Sequence, residues 1–191
     1  MTEITVQTVE ASPAIRRFVL HWGELGSQWG VNRSVAQIHA LLLMSDKPMN
    51  AEDIAEALGL ARSNVSNSVK ELLTWNLIRR APVEGDRRDH FEAESDMWEM
   101  VSRIVAMRKA RELDPAAQVL SACLVDAKSD PAAGKAAVQR LTDLQELITL
   151  LNGWYEQMNK LPKSRLLPLI RMGAKIVDFV APLGKKRKAA P

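Results

Sequence analysis

Between Arg62 and Lys70 the chain sets hydrogen-bonding side chains at helical spacing: Arg62, Ser63, Asn64, Ser66, Asn67 and Lys70. Asparagine offers a donor and acceptor pair that matches an adenine edge, and arginine a fork that matches guanine or phosphate. Serine and lysine bond phosphate oxygens. The chemistry on offer is recognition of a duplex rather than making or breaking bonds. Val65, Val69, Leu72 and Leu73 form an apolar stripe on the other side, so the segment reads as a helix with one buried face. Ser63, Asn67, Lys70 and Thr74 lie along the free face, with Arg62, Asn64 and Ser66 on its shoulders. Asn76, which tolerates left-handed backbone, ends it.

Amphipathic helices are common, so the neighbouring elements decide the reading. Upstream, Asn50 caps a short helix and Asp53 sits at the reciprocal position of the cap. Ile54, Ala55 and Leu58 give that helix its apolar face, and Gly59 closes it. Two helices joined through a Gly-containing turn make a helix-turn-helix. Downstream, Leu77 to Val83 reads as a strand, Glu84 to Arg88 as a turn, and Asp89 to Ala93 as a returning strand. The expected fold is mainly α: a winged helix-turn-helix with a small β-hairpin wing, followed by a helical dimerisation region. The expected boundaries are 12–94 for the winged unit, 95–182 for the helical region, where an effector could also bind, and 183–191 for a disordered basic tail.

The formal net charge of +3 is outweighed by Lys185-Lys186-Arg187-Lys188 alone, so the remaining chain carries −1. The basic balance is a tail effect and says little about partners. From Arg62 to Arg88, six basic residues (Arg62, Lys70, Arg79, Arg80, Arg87, Arg88) face three acidic ones, a modest positive patch. The single Cys123 cannot pair internally, which fits a reducing compartment. No N-terminal run resembles a signal peptide. Leu166 to Leu183 is interrupted by Arg171, Lys175 and Asp178 and reads as amphipathic, so no membrane association and a cytoplasmic location are expected. No phosphate-binding glycine loop, metal-ligand spacing or nucleophile-base pattern is present, so no enzyme, catalytic residue, metal site or cofactor is expected.

Along the chain, Ser12-Pro13 starts a first helix running to about Gly30, and Gly23 and Gly26 within it imply close approach of another backbone. Asn32 caps a second helix that turns Val35, Ile38, His39, Leu42 and Leu43 inward, with His39 a hydrogen-bonded core residue. Met97, Val101, Ile104 and Val105 mark a helix to about Leu113. Asp114-Pro115 and Asp130-Pro131 predict helix starts near 115 and 131. The first buries Leu120, Leu124 and Ala127. In the second, Leu141, Leu144, Ile148, Leu151, Tyr155 and Met158 alternate steps of three and four, a heptad seam, and Leu147 and Trp154 widen it. It serves either packing within one subunit or dimerisation, and contact with both is expected. Ser164 starts a last helix with Leu166, Leu169, Ile170, Ile176, Val177 and Val180 on its apolar side.

The blocks Ala36-Gln37-Ile38-His39-Ala40-Leu41-Leu42, Ala61-Arg62-Ser63-Asn64-Val65-Ser66 and Gly85-Asp86-Arg87-Arg88-Asp89-His90-Phe91, with Trp22-Gly23 and Trp29-Gly30, resemble the GbsR-type branch of the MarR family of bacterial transcriptional regulators. The resemblance covers about residues 12–110. It implies a homodimer that binds double-stranded DNA at a pseudo-palindromic operator, as repressor or activator. It also implies an Asp-x-Arg wing motif, matched by Asp86 and Arg88, that puts arginine in the minor groove. For this branch it further implies choline- or betaine-like osmolytes as effectors. Ala61 departs from the usual capping residue, which leaves Ser63 as the expected cap.

On this layout two copies of the Arg62–Asn76 helix enter major grooves one turn, ~34 Å, apart. Asn64 and Asn67 address adenine, Arg62 guanine or phosphate, and Ser63, Ser66 and Lys70 phosphates. Arg87 and Arg88 reach the minor groove while Asp86 holds Arg88, and one of Arg79 and Arg80 faces the duplex. Trp22, Trp29, Trp75 and Trp98 are candidate walls for a quaternary ammonium effector, or else core and interface residues. The rival function is a winged-helix scaffold whose polar helix docks on protein.

Overall fold

The structure, a computed structural model, describes residues 12–166 and 168–173. Its elements are α1 (Pro13–Gln28), α2 (Arg33–Met44), β1 (Met49–Asn50), α3 (Ala51–Leu58), α4 (Arg62–Thr74), β2 (Ile78–Arg80), β3 (His90–Ala93), α5 (Met97–Arg108), a π-helical turn at Lys109–Leu113, α6 (Asp114–Ser129) and α7 (Lys135–Asn159). Residues 163–166 and 168–173 are also helical. The fold is mainly helical with one small antiparallel sheet, and the chain parts into two compact units between Ala110 and Arg111. The expected residues Ile176, Val177 and Val180 and the basic tail lie outside the described residues.

In the first unit the core forms around α2, whose buried residues run without a break from Val35 to Leu42. A helix buried on nearly every side needs partners all round. Here α1, α3, α4 and β3 all pack on it. Ile38, Leu41, Ile54, Val65 and Leu72 join Met49, Ile78, Phe91 and Met100 in one cluster. The α1–α2 contact depends on the two α1 glycines: a Cβ on Gly26 would lie 2.5 Å from the Ala36 Cβ, and one on Gly23 would collide with the Gln37 side chain. Gly26→Ala should therefore destabilise the protein by about 1–3 kcal/mol despite alanine's better helix propensity. Gly153→Ala, in α7 with open space around it, should stabilise by about 0.5–1 kcal/mol. Thermal melts of the two variants shifting in the same direction would contradict the packing described.

Local chemistry sets the helix ends. Ser12 Oγ accepts from the Ile15 amide, Asn32 Oδ1 from the Ser34 amide, and Asn50 Oδ1 from the amides of Glu52 and Asp53. Gly59 takes the left-handed conformation (φ 63°) and lets the Leu60 amide reach back to Ala55 O. Asn76 does the same after α4 (φ 54°). The three-stranded sheet has the order β1-β3-β2, with Met49 opposite Phe91 and Ile78 opposite Ala93. β1, two residues long, has no counterpart in the sequence-based expectation.

Some expectations need correction. α5 belongs with the first unit rather than the helical region, because Met100 and Ile104 pack into its core. Met97, Val101 and Val105 lie on the exposed side of α5. Asp114-Pro115 opens α6 as expected, but directly after the π-helical turn and with no side-chain cap at Leu113. Asp130-Pro131 forms a turn, with Asp130 Oδ1 accepting from the Ala132 amide, and the helix starts at Lys135.

In the second unit α6 packs on α7, burying Leu120 and Leu124. The α7 seam splits. Leu141, Ile148, Tyr155 and Met158 are half-buried, whereas Leu144, Leu147, Leu151 and Trp154 form an exposed stripe with Leu150 beside it, 69% exposed.

Candidate nucleic-acid interface

On α4 the sides divide as the apolar stripe requires. Val65, Ser68, Val69 and Leu72 are buried, while Arg62, Ser63, Ser66, Asn67 and Lys70 are exposed. At 100° per residue, Ser63, Ser66, Asn67 and Lys70 fall within one 100° arc around the helix axis. Among the described residues none of these four side chains is held by an ion pair or hydrogen bond, so the strip is available to a partner.

Asn64 is the correction. It sits on the flank toward Ser68 and is half-buried, with Nδ2 donating to Ser34 Oγ at 2.9 Å and Oδ1 accepting from Ser68 Oγ at 3.4 Å. It ties the start of α4 to the start of α2 and is not presented to a base edge. Ser63 also differs from expectation: α4 has Ala61 at its N-cap and no side-chain cap. Its first amides therefore remain open to an external anion, and a phosphate oxygen is the group such a terminus accepts.

The wing's strands are β2 and β3, joined through Gly85 (φ 81°). Asp86 organises its base. One carboxylate takes the Arg88 amide at 2.9 Å, Arg88 Nε at 3.0 Å and Arg88 Nη2 at 2.5 Å. The buried His90 lies against it, with Nε2 at 3.5 Å and Nδ1 at 2.9 Å from Arg88 O. Bonds from Arg88 hold the Asp86 carboxyl well below the usual carboxylate range, so it is ionised at any physiological pH. Arg88 is thus oriented and not a freely swinging cation, while Arg87 is exposed.

Glu52, near the start of α3, takes part in this surface although its sequence position reads only as part of a helix start. Its Oε1 forms an ion pair with Arg62 Nη2 at 2.7 Å and its Oε2 accepts from Arg88 Nη1 at 2.9 Å. The first residue of α4 and the base of the wing therefore share one surface. Arg79 and Arg80 are both exposed but paired, with Glu92 at 2.6 Å and Asp89 at 3.8 Å. Once Glu52, Asp89 and Glu92 are counted with Glu71, Glu84 and Asp86, six acids balance the six bases, and the positive patch expected from sequence is electrically neutral. Arg103 of α5 was also not foreseen: it pairs with Glu94 and Glu99 and donates to Asn76 O, fixing the end of α4.

The same unit contains a cavity of about 70 Å³ lined by Trp22, Trp29, Trp75, His39, Leu72 and Arg108, among others. Three of the four candidate tryptophans meet there. Trp98 does not line it, a second correction, because it lies in the first turn of α5 rather than at the level of Ile104 and Met107. Arg108 sits 5.2 Å above the Trp29 ring and donates to Trp29 O at 2.6 Å. The position a ligand cation would take on Trp29 is occupied, and no carboxylate lines the cavity. His39 is a core residue, but its Nε2 is buried without a hydrogen-bond partner, unlike the satisfied histidine expected. Among the described residues no group of His, Cys, Asp and Glu could hold a metal, and no helix is long and apolar enough to cross a membrane.

This is a winged helix-turn-helix with an open polar flank. Residues 29–89 match the MarR family. The chain is similar to YvaV of Bacillus subtilis (strain 168), named as an HTH-type transcriptional regulator: 24% identity over 138 residues, covering 68% of this chain and 76% of YvaV. OpcR of the same organism, an HTH-type transcriptional repressor, is 25% identical over 71 residues, 37% of this chain and 38% of its own length. A crystal structure of a transcriptional regulator shares the fold, with a TM-score of 0.58 at 23% identity, covering 76% of this chain and 95% of that one. The family match thus falls on the winged-helix segment, where the chain is similar to the MarR family.

Proposed function

We propose that the chain is a DNA-binding transcriptional regulator that acts in the cytoplasm as a homodimer on a pseudo-palindromic operator, as a repressor. One observation carries the reading: the unpartnered strip Ser63, Ser66, Asn67 and Lys70 lies on the same surface as the wing base, to which Arg62 is joined through Glu52. Asn67 addresses a base edge, Arg62 and Lys70 the backbone, and Arg87 and Arg88 the adjacent minor groove. The blocks shared with the GbsR-type branch support placing the protein there. Fluorescence anisotropy against duplex DNA from upstream of its own gene tests the reading. Tight binding that weakens steeply with salt is expected, with weaker binding to a shuffled duplex. A protein scaffold would show neither.

The exposed α7 stripe Leu144, Leu147, Leu151 and Trp154 supports the dimer, the second copy covering it as a heptad seam requires. Leu151→Glu should weaken self-association at least about tenfold by placing a charge in that seam, as read by sedimentation. An unchanged dimer would move the interface elsewhere. The three-tryptophan cavity supports control by a small molecule. Its volume is well under the ~300 Å³ of a drug-sized site, so the effector must be small. Arg108 over Trp29 argues against choline itself, and tryptophan fluorescence unchanged by choline or betaine is the expected result.

A further inference from the structure

We infer that Glu52 is a specificity-determining residue: its carboxylate occupies Arg62 and Arg88 together, and a duplex must supply phosphates to both arginines at once to displace it. The inference rests on the DNA-binding reading above. Glu52 is 10 residues from Arg62 and 36 from Arg88 in sequence, yet its two oxygens are divided between them at 2.7 and 2.9 Å. The carboxylate and Arg88 are half-exposed and Arg62 is largely exposed, so the bridge faces solvent and is open to exchange. Asp86 takes the other edge of Arg88, so the two arginines and two carboxylates of this cluster sum to zero charge.

That neutrality has a direct consequence. Binding to arbitrary DNA draws on phosphate neutralisation and counterion release, and two of the nearest cations are already neutralised by the protein. A duplex that offers only one phosphate at the correct place leaves Glu52 facing the polyanion with one arginine still attached. A duplex whose shape offers phosphates to the helix start and the wing base together replaces both bonds in one step. The carboxylate thus penalises poorly fitting DNA more than well-fitting DNA, which is how a repulsive group raises discrimination.

The test uses the full chain, with the duplex from upstream of its gene and a random duplex of equal length at three salt concentrations. Glu52→Gln should raise affinity for the random duplex about tenfold, raise affinity for the upstream duplex less, and steepen the salt slope by up to about two per protomer. Glu52→Asp keeps the charge and should keep random-duplex affinity low. Thermal melts confirm that both variants are folded; Asn50 and Asp53 still cap α3 in each. If Glu52→Gln weakens both duplexes, the residue only positions the arginines. If it changes both by one factor, it does not discriminate. Either result overturns the inference while the native protein still prefers its own DNA. Failure of the native chain to bind either duplex overturns the DNA-binding reading itself.

Discussion

Lowering the pH from 7 to 4 should cost the fold about 3 kcal/mol through His39 alone. His39 is buried beside Trp22 in the wall of the tryptophan cavity, and burial lowers its pKa from 6.5 to about 4. In the unfolded chain it binds a proton near pH 6.5; in the folded chain it resists doing so until about pH 4. Between these values the unfolded state holds more protons, so stability is fully present above pH 6.5 and declines as the pH falls toward 4. Other acids contribute to acid unfolding, so the diagnostic quantity is a difference. His39→Leu should be at least as stable at pH 7, because the unpartnered Nε2 is removed. It should lose about 3 kcal/mol less than the native protein by pH 4. Denaturant titrations at pH 7, 5.5 and 4 measure this, and parallel declines in the two proteins would show that His39 is solvated.

The second large effect concerns recognition. Asn67→Ala should cost about 1–3 kcal/mol at one base pair of each half-site and little elsewhere. Asn67 is exposed, midway along the open strip and unpartnered, so its amide is free to make a bidentate contact. Lys70→Ala, three residues on along the same strip, should instead weaken all sequences alike and reduce the salt slope by about one. Affinities on a set of operators varied one base pair at a time separate the two. Equal losses at every position for Asn67→Ala would make it a backbone contact. Asn64→Ala should not relax base preference, because its amide is committed to Ser34 and Ser68.

The contrast between Asn64 and Asn67 shows what could be read in advance. Both have the same chemistry on the same helix, and periodicity alone distinguishes them by only a shoulder position. What turns Asn64 inward is Ser34, thirty residues earlier, and no local pattern points to it. Features set by local backbone chemistry were legible: the caps at Ser12, Asn32 and Asn50, the left-handed residues Gly59 and Asn76, and the glycine contacts of α1. Features set by distant partners were not. β1 exists only because Met49 and Asn50 meet Phe91 and His90. The neutrality of the interface exists only because Glu52, Asp89 and Glu92 fold back onto arginines. Asp130-Pro131 misled for a third reason: proline at a helix start and proline in a turn ahead of one leave the same two letters in the sequence.

The central claim is that a symmetric pair of α4 helices, each flanked by its wing, lies on one face of a duplex. A hydroxyl-radical footprint of the full chain on DNA from upstream of its gene tests it most directly. The account predicts two protected patches whose centres are one helical turn, about 10–10.5 base pairs, or a multiple of that apart, with further protection in the flanking minor grooves. A single patch, or no protection above that on random DNA, would contradict it.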